Sequence, residues 1–243
     1  MDIIFKDLIN LWGKPVNKEK IDLDLPIGSI STDTRTIEKG NFFVPLVGKK
    51  FDGHNFLNMA FDIGVQAAIV SKKFNGSIPV GLPHWVVSDT LDAYQQIALL
   101  HRRNLNLPVI AVTGSVGKTT TRELIRGVLS SLGEIVSSTE NENNEIGVPK
   151  TLLRGMGSDA AFVLEMGMRG LGQIECLSRI SEPDIAVITN VGQAHIGILG
   201  SRENIAKAKS EITSNLKSDG VVIIPFGDNL LEKALREKWS GRI

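Results

Sequence analysis

The chain is 243 residues long, with 27 lysines and arginines balanced by 27 aspartates and glutamates. Zero net charge removes the global electrostatic case for a nucleic-acid or anionic-membrane binder and leaves only local basic clefts. A single cysteine, Cys176, excludes an internal disulfide framework and a cysteine-based zinc cluster. The longest apolar run, Val221 to Phe226, falls far short of the roughly 20 residues of a membrane helix, so the chain is not expected to be membrane-embedded. Its opening, Met1-Asp2-Ile3-Ile4-Phe5-Lys6-Asp7, lacks the basic and apolar regions of a secretory signal. A reducing, cytoplasmic setting is the expectation.

The first third reads as a small mixed domain. Asn41 to Leu46, Ala67 to Val70 and Trp85 to Val87 have the composition of short buried strands. Between the first two, Asn55 to Ile63 places Phe56, Leu57, Ala60 and Phe61 on one helical face, and Gly64 supplies a stop. Leu91 to Arg102 predicts a second helix with Leu91, Tyr94, Ala98 and His101 in one stripe, and Pro108 forbids its continuation. The domain boundary is expected just before that helix, dividing the chain into 1–88 and 89–243.

After Pro108 the pattern becomes regular. Val109 to Thr113, Ala160 to Leu164, Ile185 to Thr189 and Val221 to Ile224 are continuous, largely β-branched runs. Runs without polar alternation belong to strands covered on both faces. A helix from Thr119 to Leu132 is expected to turn Leu124, Ile125, Val128, Leu129 and Leu132 inward. Strand–helix alternation implies a parallel sheet with right-handed crossovers. The fold class is therefore α/β: a small N-terminal α/β domain followed by a mostly parallel-sheet domain.

Thr113-Gly114-Ser115-Val116-Gly117-Lys118-Thr119-Thr120 joins the first of these runs to its helix. Glycines bring backbone N–H groups close to phosphate oxygens, and a helix starting at the loop adds its positive end. Lys118 can reach the β- and γ-phosphates, and the Thr119 hydroxyl can ligate magnesium. Val112 stands where the general nucleotide-loop pattern has its first glycine, so this is a variant loop.

Ligands of open α/β sheets bind outside the carboxyl ends of the strands. Glu165 and Thr189-Asn190 end the next two runs and should converge on the loop. Glu165 reads either as a magnesium ligand beside a triphosphate or as one half of a salt bridge to Arg169 or another base. His195, five residues past Asn190, is equally readable as structural or functional. Lys209 looks like a solvated lysine on an amphipathic helix, indistinguishable from Lys207. Asn141 to Glu145 is either a polar surface loop or a set of amide donors for phosphate and substrate.

Together these motifs resemble the Mur ligases, and within them MurF, the branch that adds D-alanyl-D-alanine. The resemblance rests on Ser31-Thr32-Asp33-Thr34-Arg35, Gly48 through Asp52-Gly53-His54, Thr113 to Thr120 and Asn143 to Pro149. It continues through Glu165 to Gly170, Asn190 to His195, Gly200-Ser201 and Ala208 to Ile212. The nucleotide loop is common to all Mur ligases and to folylpolyglutamate synthases. The asparagine-rich loop and the Glu165-Met166-Gly167-Met168-Arg169-Gly170 stretch point to the D-alanyl-D-alanine branch.

The resemblance implies ATP-dependent amide-bond synthesis in peptidoglycan precursor formation, and hence in cell-wall growth and division. ATP would phosphorylate the terminal carboxylate of UDP-N-acetylmuramoyl-tripeptide, and the amine of D-alanyl-D-alanine would attack the acyl phosphate. Lys118 and the loop from Thr113 to Thr120 would hold ATP, with Asn190 near the adenine side. Thr119, Glu165 and His195 would hold magnesium, joined by Lys209 if carbamylated. Lys118, Lys209, His195 and Asn144 would carry the chemistry. Ser31, Asp33, Arg35, Asp52 and His54 would line the uridine-nucleotide pocket of a UDP-substrate domain, and Asn143 and Asn144 would lie near the γ-phosphate and peptide carboxylate. A monomer without nucleic-acid partners is implied. Family members have a third, Rossmann-like domain and a longer central domain, so the chain is expected to be a C-terminally truncated form. The alternatives are a non-catalytic fragment that binds nucleotide or UDP-precursor, and a sibling ligase with another amine substrate. A different phosphate-loop enzyme such as a kinase fits poorly, given Val112 and the Asp33-Thr34-Arg35 motif.

Overall fold

Short runs of β-branched and aromatic residues between glycine and proline breaks build the strands of the computed structural model, which describes residues 3–17, 19 and 21–243. The chain divides into two compact units, residues 1–104 and 105–243.

The first unit begins with α1 (Phe5–Trp12) and β1 (Ile30–Ser31), followed by β2 (Phe42–Phe43) and the hairpin β3 (Val47–Gly48) and β4 (Phe51–Asp52). A 3₁₀ turn at Gly53–Phe56 runs into α2 (Leu57–Ile63), then come β5 (Ala67–Ser71), β6 (His84–Val87) and α3 (Thr90–Leu105). The sheet order is β1-β2-β5-β6, with every pair parallel. Strand side chains alternate between faces, so neighbouring Phe42 and Phe43 serve different cores. Phe42 joins Phe5 and Trp85, whose rings stack 6.1 Å apart. Phe43 packs with Leu57, Ala60, Ala68, Val70 and Leu82. Gly64 ends α2 in the left-handed conformation, as the sequence predicts. The division at 104/105 leaves α3 in this unit, whereas the sequence placed a boundary at 88/89. α3 is tied back to α1, because Trp12 Nε1 donates to Gln96 Oε1 at 2.6 Å.

The second unit runs β7 (Val109–Thr113), α4 (Lys118–Leu129), β8 (Ile135–Ser137), α5 (Gly147–Leu152), β9 (Ala161–Glu165) and α6 (Gln173–Ser181). It continues with β10 (Ile185–Ile188), α7 (Ile196–Leu199), α8 (Arg202–Ser210), β11 (Val221–Ile223) and α9 (Asn229–Arg236). All strands are parallel in the order β11-β10-β7-β9-β8. The chain moves from β7 to one side of the sheet and later returns to its other side through β10. The carboxyl end of β7 is therefore a topological switch point, where such sheets open a crevice. Register sets Val112 opposite Glu165 and Thr113 opposite Ile188, so Thr113, Glu165 and Thr189 emerge at one edge.

The inward face of α4 differs from the sequence expectation. Ile125 and Leu129 pack on the sheet, but Leu124, Val128 and Leu132 are 66%, 75% and 72% exposed. The helix also ends at Leu129 and tightens into a 3₁₀ turn at Ser130–Leu132. Its narrow contact stripe includes buried Arg122, so a broad apolar helix face was a misleading guide. Among the described residues, no helix is long and apolar enough to cross a membrane.

Phe162, fully buried on β9, fills the space beside Gly155, where an added Cβ would strike its ring. Phe162→Ala is expected to destabilise the second unit by about 3–5 kcal/mol, read as a lower midpoint in urea unfolding followed by far-ultraviolet circular dichroism.

Candidate functional site

The loop after β7 is shaped by close approach. A Cβ on Gly114 would collide with Thr189 Oγ1, and Gly117 begins α4 at φ +78°. Both positions exclude ordinary side chains. The buried Thr113 hydroxyl donates to Met166 O at 2.9 Å, coupling the ends of β7 and β9. Asn190 holds the loop from the other side. Its Oδ1 accepts from Val116 N at 3.2 Å, its Nδ2 donates to Val116 O at 3.0 Å, and its carbonyl accepts from Ser115 N. Gly192 N donates to Ser115 Oγ at 2.9 Å. Asn190 is thus a strap on the loop, a role that the sequence did not suggest. Lys118 curls back to donate to Gly114 O at 3.1 Å, and Thr120 is exposed on the first turn of α4.

Glu165 is buried at the end of β9. Its Oε2 accepts from Thr119 Oγ1 at 2.7 Å and from Arg122 Nη1 at 3.4 Å, and its Oε1 accepts from Asn143 Nδ2 at 2.9 Å. Its backbone N–H donates to Ser138 Oγ at 3.0 Å. The base beside it is Arg122, not Arg169, which is exposed further along the same loop. Arg122 and Ser138 escaped the sequence reading. For Arg122 the signal was its place one helical turn beyond Thr119, on the same face.

The asparagine-rich loop is held by charge. Glu142 bonds Lys150 Nζ and Arg154 Nη1, each at 2.8 Å, and accepts from Thr139 Oγ1 at 2.8 Å. Burial alone would raise its pKa, but Lys150, Thr139 and Arg154 outweigh that and hold it at about 2. Asn143 is interlocked with Gly167, whose N–H donates to Asn143 O at 2.8 Å. A Cβ at Gly167 would lie 2.9 Å from Asn143 Oδ1. Asn144 Oδ1 accepts from Ile146 N and Gly147 N at the start of α5. Its carbonyl-type oxygen is committed to that turn.

Lys209 is only 1% exposed, while Lys207 is exposed. Two residues along a helix rotate by about 200°, which separates them where composition could not. The solvated reading is wrong. Burial, and then the Lys118 charge, push Lys209 down to about 8. No carboxylate among the described residues pairs with it. His195 sits at φ +66° before α7. Gly114, Lys118, Asn143, Asn144, His195 and Lys209 line one open cleft of about 340 Å³, together with Arg169 and Gln173.

In the first unit, Asp33, Arg35 and Gly53 line a cavity of about 500 Å³ with Phe43, Phe51 and Phe56. Arg35 Nε donates to both Asp33 oxygens, at 2.9 and 3.0 Å, and its hydrogen bonds hold the Asp33 carboxyl down at about 2. Ser31 Oγ closes the turn by donating to Asp33 O at 3.0 Å. Asp52 and His54 face a different cavity of about 320 Å³. The buried His54 ring donates from Nδ1 to Asp52 Oδ1 at 2.6 Å, accepts at Nε2 from Ser71 N, and stacks on Phe74. Both ring nitrogens are occupied, so His54 acts as a core residue of the turn.

A family model for the Mur ligase middle domain matches residues 112–242. The chain belongs to the Mur ligases. It is 43% identical over 219 residues to the UDP-N-acetylmuramoyl-tripeptide–D-alanyl-D-alanine ligase of Synechocystis sp., a match covering 90% of this chain and 48% of that protein. The structure of MurF from Acinetobacter baumannii superposes with a TM-score of 0.87 at 34% identity, covering 99% of this chain and 52% of that one. MurF ligase from Thermotoga maritima in complex with ADP gives 0.80 at 32% identity, covering 90% and 50%. This Mur ligase chain thus spans about half the length of the relatives it matches.

Between Lys209's pKa of about 8 in the fold and its ordinary 10.5, the unfolded Mur ligase chain binds more protons than the folded one. Stability should therefore rise with pH across that window. Urea titrations of wild type and Lys209→Met at several pH values check this. The wild type is expected to gain on the order of 3 kcal/mol relative to the variant between about pH 8 and 10.5.

Proposed function

We propose that this chain binds ATP in the second unit and UDP-N-acetylmuramoyl-tripeptide in the first, and serves ATP-dependent ligation of D-alanyl-D-alanine to the tripeptide. The observation that carries the reading is the Thr119 hydroxyl 2.7 Å from the Glu165 carboxylate, at the mouth of a glycine-built loop. These are hard oxygen donors, the kind that magnesium takes while keeping water and phosphate oxygens. Among the described residues, no group of three or more His, Cys, Asp and Glu is placed to form a cage, so such an ion would depend on nucleotide phosphates for the rest of its shell. Thr119 and Glu165 would hold it, joined by His195, which lines the adjoining cleft with Lys118. Bound there, magnesium would offset charge on the transferring phosphoryl group.

The chain's own residues supply position and charge. Lys118 and Lys209 line the same cleft, and together they would attract polyphosphate and a peptide carboxylate. Asn143 is aimed by Glu165 and Gly167, and the Asn144 amide N–H groups are left to meet substrate oxygens. Phosphoryl transfer would activate the carboxylate as an acyl phosphate, and amine attack would then expel phosphate. A buried amine with a pKa near 8 has a reactive neutral fraction. Addition of carbon dioxide to Lys209 would replace a repelled cation by an oxygen ligand. Asp33 and Arg35, at the rim of the aromatic cavity, suit a uracil ring and its polar edge. A cytoplasmic setting, where ATP and UDP-linked precursors occur, completes the reading.

Calorimetric titration of ADP with magnesium is expected to show saturable binding that Lys118→Ala weakens by at least about tenfold, the scale of a charge-assisted phosphate contact; undiminished binding by that variant contradicts the phosphate role. In a turnover assay, ADP should form only when UDP-N-acetylmuramoyl-tripeptide and D-alanyl-D-alanine are both present. Turnover with lysine or diaminopimelate as the amine would instead assign a sibling ligase. Nucleotide binding with no phosphate release would reduce the reading to capture.

A further inference from the structure

Arg122 stands directly behind the acidic end of β9, in a place that the proposed function leaves without a role. Its guanidinium is 5% exposed, and it is the cation within ion-pair distance of Glu165 among the described residues. Two of its nitrogens are fixed by Glu123, with Nε donating at 3.1 Å and Nη2 at 2.7 Å to Oε1. Glu123 is held in turn by Arg126 Nε at 2.9 Å. The Glu123 carboxyl lies below the ordinary carboxylate range, chiefly because of its hydrogen bonds from Arg122 and Arg126. It is therefore a fixed negative anchor. This leaves Nη1 as the edge of the guanidinium that meets Glu165, at 3.4 Å.

That distance is long for a charge-assisted bond, which usually closes to about 2.7–2.9 Å. Arg122 thus supplies charge and direction without saturating Oε2. The geometry points to Arg122 as a positioning residue that keeps the Glu165 carboxylate aimed at the mouth of the nucleotide loop. Asn143 Nδ2 steadies the other oxygen at 2.9 Å. Were Thr119 Oγ1 to serve a divalent cation instead of Glu165, Arg122 and Asn143 would still hold the carboxylate in its direction. Hydrogen-bonded partners of metal ligands act in this way and commonly govern metal affinity. The inference rests on the nucleotide-site reading above.

Arg122→Met and Arg122→Lys, made in this chain, test it by ADP calorimetry in EDTA and across a magnesium series. Arg122→Met should bind ADP in EDTA as wild type does, since the loop amides and Lys118 are intact. Its magnesium half-saturation should rise about 10- to 100-fold, and Arg122→Lys should recover part of that loss. Unchanged or tighter magnesium dependence in Arg122→Met overturns the inference. So does an equal loss of ADP affinity in EDTA and in magnesium, or unfolding of both variants in urea well before wild type, because either outcome marks a merely structural arginine. A wild-type chain that binds no ADP, or binds it without magnesium dependence, contradicts the underlying nucleotide-site reading instead.

Discussion

A carboxylate at the end of an apolar strand has to be compensated, and Glu165 imposes that requirement on the whole second unit. Removing such a charge from water costs several kcal/mol unless hydrogen bonds and a counter-charge replace the lost solvation. The replacement comes from separate elements. α4 contributes Thr119 and Arg122, the asparagine-rich loop contributes Asn143, and the end of β8 contributes Ser138 to the neighbouring backbone. Satisfying one buried group therefore ties the start of α4 to the asparagine-rich loop.

The adjoining cleft is lined by Lys118, Arg169 and Lys209. Lys118 and the buried Lys209 repel one another, and the resulting field is local, in a chain with no net charge. The surrounding loops resist this repulsion through anchors outside the cleft. Glu142 clamps the asparagine loop with Lys150 and Arg154, and Asn190 straps the phosphate loop through Val116. Glu211 plays a comparable part for α6: its carboxylate accepts from Gly172 N at 2.8 Å and Glu175 N at 3.3 Å, two residues after Lys209 in the chain. The cleft is preorganised largely by residues that do not line it, which is how precise charge placement survives in a solvent-open site.

The parallel sheet, the phosphate loop and the convergence of three strand ends were readable because each has a local signature: continuous β-branched runs, spaced glycines, and polar residues where apolar runs stop. Tertiary context decided the rest. Lys207 and Lys209 have the same chemistry and nearly the same neighbours, so only the orientation of α8 makes one of them a buried cation. The apolar residues of α4 match a helical period without revealing how narrow its seat on the sheet is. His54 looked like a ligand-facing histidine by its motif, yet its two ring nitrogens are consumed by Asp52 and Ser71. The residues missed altogether, Arg122 and Ser138, act on Glu165 from positions distant in sequence.

The central claim is that the end of β7, Glu165 and the wall carrying Lys209 form one nucleotide–metal site. A crystal structure of this chain with ADP and magnesium tests it most directly. The account requires the β-phosphate on the amides between Gly114 and Thr119, beside Lys118, and a cation whose shell includes Thr119 Oγ1 or the Glu165 carboxylate. ADP bound elsewhere, or bound here with Glu165 still closed on Thr119 and no cation between protein and phosphate, would contradict it.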